Sequence, residues 1–180
     1  MTIGFWDGKS FAIDSRSTYS ADRTQPLKKC TYISNSKVCM LEKPFKYSAD
    51  GKEYLIKAIF RSGKVSFSSR LTASISAFCD NGRTLNEYLD LVNDFMVVKP
   101  VHGDFQLALV GVCVEDETPT AFKLAHNYAV TRMKRGSYIG SRHELLFVTP
   151  AEHTAAEYVA VNCILVPEYC GGYFIDSSLS

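Results

Sequence analysis

At 180 residues, 46% of them hydrophobic and 22% charged, the chain is long enough to bury one continuous core and has an ordinary globular composition. Twenty basic residues against 19 acidic leave a formal net charge of +1, which gives no electrostatic reason to expect nucleic acid or a membrane surface as partner. No run approaches the ~20 apolar residues of a membrane span, and the start, Met1-Thr2-Ile3-Gly4-Phe5-Trp6-Asp7-Gly8, lacks the basic and apolar regions of a secretory signal.

The chain opens on strands. Ile3 and Phe5, then Phe11 and Ile13, flank Asp7-Gly8, a dipeptide that favours tight hairpins. A pairing centred there sets Asp14 opposite Met1. Residues 30–34 and 37–41 around Asn35-Ser36 predict a second hairpin. Over 48–60 the apolar Tyr54, Leu55, Ala58 and Ile59 fall at helical spacing. A further helix is predicted over about 69–79, with Leu71, Ile75 and Phe78 on one stripe and Asn81-Gly82 ending it. Thr84 with Glu87 three residues on forms a capping-box signal for the next helix, whose buried face carries Leu85, Tyr88, Leu89, Val92 and Phe95.

Strands return at 105–114 and 121–125, joined by the acidic turn Glu115-Asp116-Glu117, with more strand near 128–133 and 138–140. Thr149-Pro150-Ala151-Glu152 then predicts a helix reaching about Leu165, with Ala155, Val159 and Cys163 inward. Cys170-Gly171-Gly172 leads into a last strand at 173–176. Strands segregated from helices argue α+β, and two antiparallel sheets stacked face to face, covered by helices on both outer sides, satisfy the order.

The side-chain inventory offers no metal or cofactor site. Cys30, Cys39, Cys79, Cys113, Cys163 and Cys170 form no C-x-x-C pair, and His102, His126, His143 and His153 have no ligand spacing. Reduced thiols in a cytoplasmic protein, with Cys39, Cys113 and Cys163 as small core residues, is the simplest reading. The short cluster Arg132, Lys134, Arg135 reads as a solvated strand end.

Three stretches together resemble the proteasome β-subunit family, including the bacterial HslV-type peptidases and their phage-encoded relatives. The first is the hairpin from Thr2 that returns through Ala12-Ile13-Asp14-Ser15-Arg16-Ser17-Thr18. The second is Lys28-Lys29 beyond that aspartate; the third is Ile139-Gly140-Ser141, followed by Tyr169-Cys170-Gly171-Gly172. The resemblance spans almost the whole chain. It implies a single N-terminal-nucleophile (Ntn) hydrolase domain over 1–180, with a four-layer αββα sandwich fold.

It also implies a threonine peptidase acting on peptide or unfolded-protein substrates, without cofactor. Removal of Met1 would leave the Thr2 hydroxyl and α-amine on one residue, and an α-amine near ~7.7–8 can take the hydroxyl proton at cellular pH. Carried over by position, Asp14 orients the N-terminal region, Lys29 lowers the amine and hydroxyl pKa values by its charge, Ser141 bonds the amine and Cys170 fills the other supporting position. A homo-oligomer, an ATPase partner and the cytoplasm of a bacterial or phage-infected cell are the matching context.

Two departures keep a second reading open. Active members have a glycine-rich turn after the fourth strand that donates an N–H to the oxyanion, and the corresponding region is taken here as Glu42-Lys43-Pro44-Phe45; the aspartate before the last glycine pair is replaced, with Pro167 and Glu168 there. An inactive Ntn-fold subunit with a structural or assembly role, in a ring or a phage particle, fits those departures. A cysteine hydrolase pairing an internal thiol with His102 or His143 has no signature behind it.

Overall fold

The computed structural model describes residues 2–19, 30–33, 37–63, 65–95, 105–125, 128–140, 154–165, 171 and 174–177. In chain order these form β1 (Ile3–Trp6), β2 (Phe11–Asp14), β3 (Arg16–Tyr19), β4 (Cys30–Ile33), β5 (Val38–Ala49), β6 (Lys52–Gly63), α1 (Val65–Cys79) and α2 (Leu85–Phe95). Then follow β7 (Phe105–Cys113), β8 (Pro119–Ala125), β9 (Val130–Arg132), β10 (Tyr138–Gly140), α3 (Ala155–Leu165) and β11 (Phe174–Asp176). The class is α+β. A four-stranded antiparallel sheet runs β10-β1-β2-β11, a five-stranded one β5-β6-β7-β8-β9, and β3 pairs with β4.

The first hairpin turns one residue later than Asp7-Gly8 suggests. Trp6 pairs with Phe11, the Asp7 N–H donates to the Ser10 carbonyl at 3.2 Å, and Gly8-Lys9 form the two-residue loop. Gly8 has φ of 93°, the conformation a first central position of this turn requires. The Asp7 carboxylate holds the loop by accepting the Lys9 and Ser10 N–H groups, each at 2.8 Å. Continuing the register sets Asp14 opposite Ile3 instead of Met1, a slip of two that leaves every side chain on the same face.

Two sequence-based expectations fail in the next section. Residues 30–41 are not a hairpin: β4 pairs with β3, while β5 pairs along its length with β6 around Asp50-Gly51, both at positive φ. The segment 48–60 is strand, not helix. Two physical features imitate helical spacing there. First, β6 is buried on both faces, so it shows an apolar run in place of alternation. Second, its register shifts between Ile56 and Ala58, so Tyr54 and Ile56 share a face with Ile59 across the bulge. Gly111 of β7 sits against that bulge, where a Cβ would lie 1.8 Å from the Leu55 carbonyl oxygen.

The helices follow their stripes more closely. Leu71 and Ile75 of α1 and Leu85 of α2 are buried against the five-stranded sheet. The Glu87 N–H donates to Thr84 Oγ1 at 3.2 Å, as the capping box predicts. α3 starts later than expected. Residues 149–153 lie outside the described residues, and the cap is Thr154: its Oγ1 accepts the Glu157 N–H at 3.2 Å, and Glu157 Oε2 accepts the Thr154 N–H at 3.4 Å. Asp7 adds a further acceptor, taking the Ala155 N–H at 2.7 Å, so the hairpin loop and the start of α3 are tied together.

Three apolar clusters hold these elements. Ile3, Phe5 and Ala12 pack against Ala155 and Val159 of α3. The opposite face of the four-stranded sheet, with Trp6, Phe11, Ile13 and Ile139, meets Ala58, Phe60, Ala108, Val110 and Ala121 of the five-stranded sheet. The remaining face of the five-stranded sheet carries α1 and α2. Among the described residues no helix is long and apolar enough to cross a membrane.

Candidate functional site

Polar groups gather at one end of the four-stranded sheet, where β1 begins and β2 finishes. Asp14 is fully buried there. Its Oδ1 accepts Lys37 Nζ at 2.8 Å and the Ile3 N–H at 3.0 Å, and its Oδ2 accepts the Gly171 N–H at 3.3 Å. Lys37, immediately before β5, is 6% exposed. Removing both charges from water is expensive, and three donors on one carboxylate are the compensation. The ammonium and the peptide nitrogen after Thr2 therefore meet at a single oxygen.

Thr2 is half-buried beside this pair. Its backbone runs so close to Gly140 that a Cβ there would lie 2.1 Å from the Thr2 carbonyl oxygen and 3.2 Å from Thr2 Cβ. Gly140 also has φ of 84°, so both its conformation and the space exclude a side chain. The Gly140 N–H donates at 2.9 Å to Oε1 of Gln106, which reaches across from β7. Two side-chain bonds, Lys37 to Asp14 and Gln106 to Gly140, thus tie the start of β5 to β2 and tie β7 to β10. β6 ends at the same level: Ser62 pairs with Gln106, and Gly63 turns the chain toward α1 with φ of 100°.

Of the five residues singled out from the sequence, Thr2 and Asp14 are brought together. Lys29, Ser141 and Cys170 lie outside the described residues. Their neighbours Gly140 and Gly171 are both in the site, one against Thr2 and the other on Asp14. The lysine paired with Asp14 is Lys37, 23 residues along the chain. Its sequence context, a strand start after Asn35-Ser36, carries no mark of burial. Glu42-Lys43-Pro44-Phe45 is not a turn after a strand; it lies inside β5, where the register with β6 shifts between Met40 and Phe45. The glycine that precedes α1 is Gly63, the last residue of β6, hidden in the sequence because 48–60 reads as helix.

A groove of about 660 Å³ lies between β5 and α1; none of Thr2, Asp14 and Lys37 lines it. Val38 to Lys43 of β5 form one wall, and Ser69, Thr72, Ala73 and Ser76 of α1 the other. Its lining mixes polar and apolar side chains. Among the described residues no group of three His, Cys, Asp or Glu side chains could hold a metal ion. Neither a scan against protein-family models nor a search of curated proteins finds a match to this sequence.

Proposed function

We propose that the chain is a proteasome-type Ntn hydrolase, a four-layer αββα sandwich that cleaves peptide bonds with Thr2 once Met1 is removed. The observation that carries this reading is the buried Asp14–Lys37 pair bonded to the peptide nitrogen after Thr2. The α-amine of Thr2, near ~7.7–8, takes the proton from Thr2 Oγ as the oxygen attacks the scissile carbonyl. Lys37 takes the part that position alone gave to Lys29. Its positive charge favours the neutral amine and the ionised hydroxyl, while Asp14 holds it in place.

The tetrahedral oxyanion collapses to an acyl ester on Thr2 with loss of the leaving amine, which receives the proton. Water, activated by the same α-amine, then hydrolyses the ester. The N–H at Gly63, where β6 ends with positive φ, fills the oxyanion role that the family gives to its glycine-rich turn. An extended peptide or unfolded segment occupies the groove beside β5, and a cytoplasmic homo-oligomer served by an ATPase fits such a substrate.

The same contact is compatible with a second reading, an inactive Ntn-fold subunit used in assembly. The Ile3 N–H bond to Asp14 needs no free amine, so the clamp stands whether or not Met1 is removed. Intact mass separates the two: loss of one methionine is expected for the peptidase, and full retention sinks it. In hydrolysis of short fluorogenic peptides, Thr2→Ala should abolish turnover and Lys37→Ala should lower it far more than Lys29→Ala. The reverse order of the two lysines would return the role to Lys29.

A further inference from the structure

Gln106 is engaged at only one end of its amide. Oε1 accepts the Gly140 N–H at 2.9 Å, and because an N–H requires an acceptor this fixes which end faces Gly140. Nε2 is therefore directed away from Gly140. Among the described residues neither of its two hydrogens has an acceptor. The side chain is half-buried and stands on β7, the central strand of the five-stranded sheet, paired on both sides. Nε2 is not shut away from solvent, so water takes its hydrogens in the free protein and a bound carbonyl can displace that water. Its anchor, Gly140, is the residue pressed against the Thr2 carbonyl, so the Gln106 amide is tied to the strand that runs beside Thr2. The Lys37 ammonium, by contrast, is already committed to Asp14.

We propose that Gln106 Nε2 is a catalytic hydrogen-bond donor to the carbonyl oxygen of the peptide bond attacked by Thr2, strengthening as that oxygen becomes an oxyanion. This rests on the Thr2 reading and adds a side-chain donor to it. A neutral amide is well suited to this role, because it stabilises developing charge without altering the titration of the α-amine. No bond is made or broken at Gln106. Its rigidity on a central strand is what gives a single donor value in the transition state.

The test uses the full chain and a short fluorogenic peptide. Gln106→Glu keeps an oxygen for the Gly140 N–H and replaces the donor with a carboxylate oxygen; Gln106→Met removes both functions at similar volume. Gln106→Glu should lose about 100-fold in kcat at neutral pH, with KM and thermal midpoint near those of the parent. Its activity relative to the parent should climb as pH falls toward the carboxyl range, because a protonated carboxyl donates again. Gln106→Met should show a kcat loss of similar size, independent of pH relative to the parent.

Parental kcat in Gln106→Glu overturns the inference, as does a deficit that tracks a lowered melting point and ignores pH. Hydrolysis that is absent in the parent chain, or unchanged in Thr2→Ala, overturns both this inference and the function it extends. Thr2-dependent hydrolysis with an unaffected Gln106→Glu overturns this inference alone.

Discussion

Asp14 gathers a lysine and two backbone N–H groups from three distant parts of the chain, without exposure to water. Lys37→Met leaves its charge with the backbone donors only. Loss of one partner of a buried pair typically costs about 3–5 kcal/mol, and urea unfolding of that variant should show a fall of this size. Asp7 makes a different prediction. Burial by itself raises its carboxyl, but N–H groups of Ser10, Ala155 and Lys9 bond the ionised form and leave it below the ordinary 3.8. A carboxyl with a lower value folded than unfolded adds stability above about pH 4, lost as pH falls through the folded value. Acidification should therefore lower the melting point of the parent more steeply than that of Asp7→Asn. Thr2 and Asp14 are legible in the sequence because one short hairpin joins them. Lys37 and Gln106 are not, since each meets its partner only after two sheets have stacked.

Elements were legible in proportion to how well a single face explains them. α1 and α2 each bury one stripe, and a capping residue marks the start of α2, so their positions follow from spacing. α3 carries two Thr-x-x-Glu signals in its approach, and the second is the cap whose hydrogen bonds are seen. β6 defeats the same logic, because both its faces are buried and its bulge shifts the phase. The Asp50-Gly51 turn was the available clue to the β5–β6 hairpin. Gly111 offers a direct check on the bulge. A methyl group there collides with Leu55 backbone, not with a side chain that can swing aside. Gly111→Ala should destabilise by about 1–3 kcal/mol, measured by urea unfolding, whereas an unstrained strand would gain from the same change.

Across the whole molecule, the contact between sheets is built from unequal partners. The four-stranded sheet supplies Trp6, Phe11, Ile13 and Ile139; the five-stranded sheet answers with Ala58, Ala108 and Ala121 around Phe60. The rings of Phe60 and Phe11 lie 4.7 Å apart between centroids. Phe60→Ala should cost about 3–5 kcal/mol by denaturant unfolding, with little collapse to refill the space because neighbouring positions are already small. The order of strands and helices gave the α+β class, yet not which strand joins which sheet, because that choice is settled by long-range pairing. Trp6, the sole tryptophan, is 2% exposed within this contact. Its emission consequently reports one event, the parting of the two sheets, and should shift from blue to red as water enters. Far-UV ellipticity follows the helices on the outside. Coincident optical transitions would mark a single cooperative unit, while an earlier ellipticity change would reveal that the helical covers peel away before the stacked sheets separate.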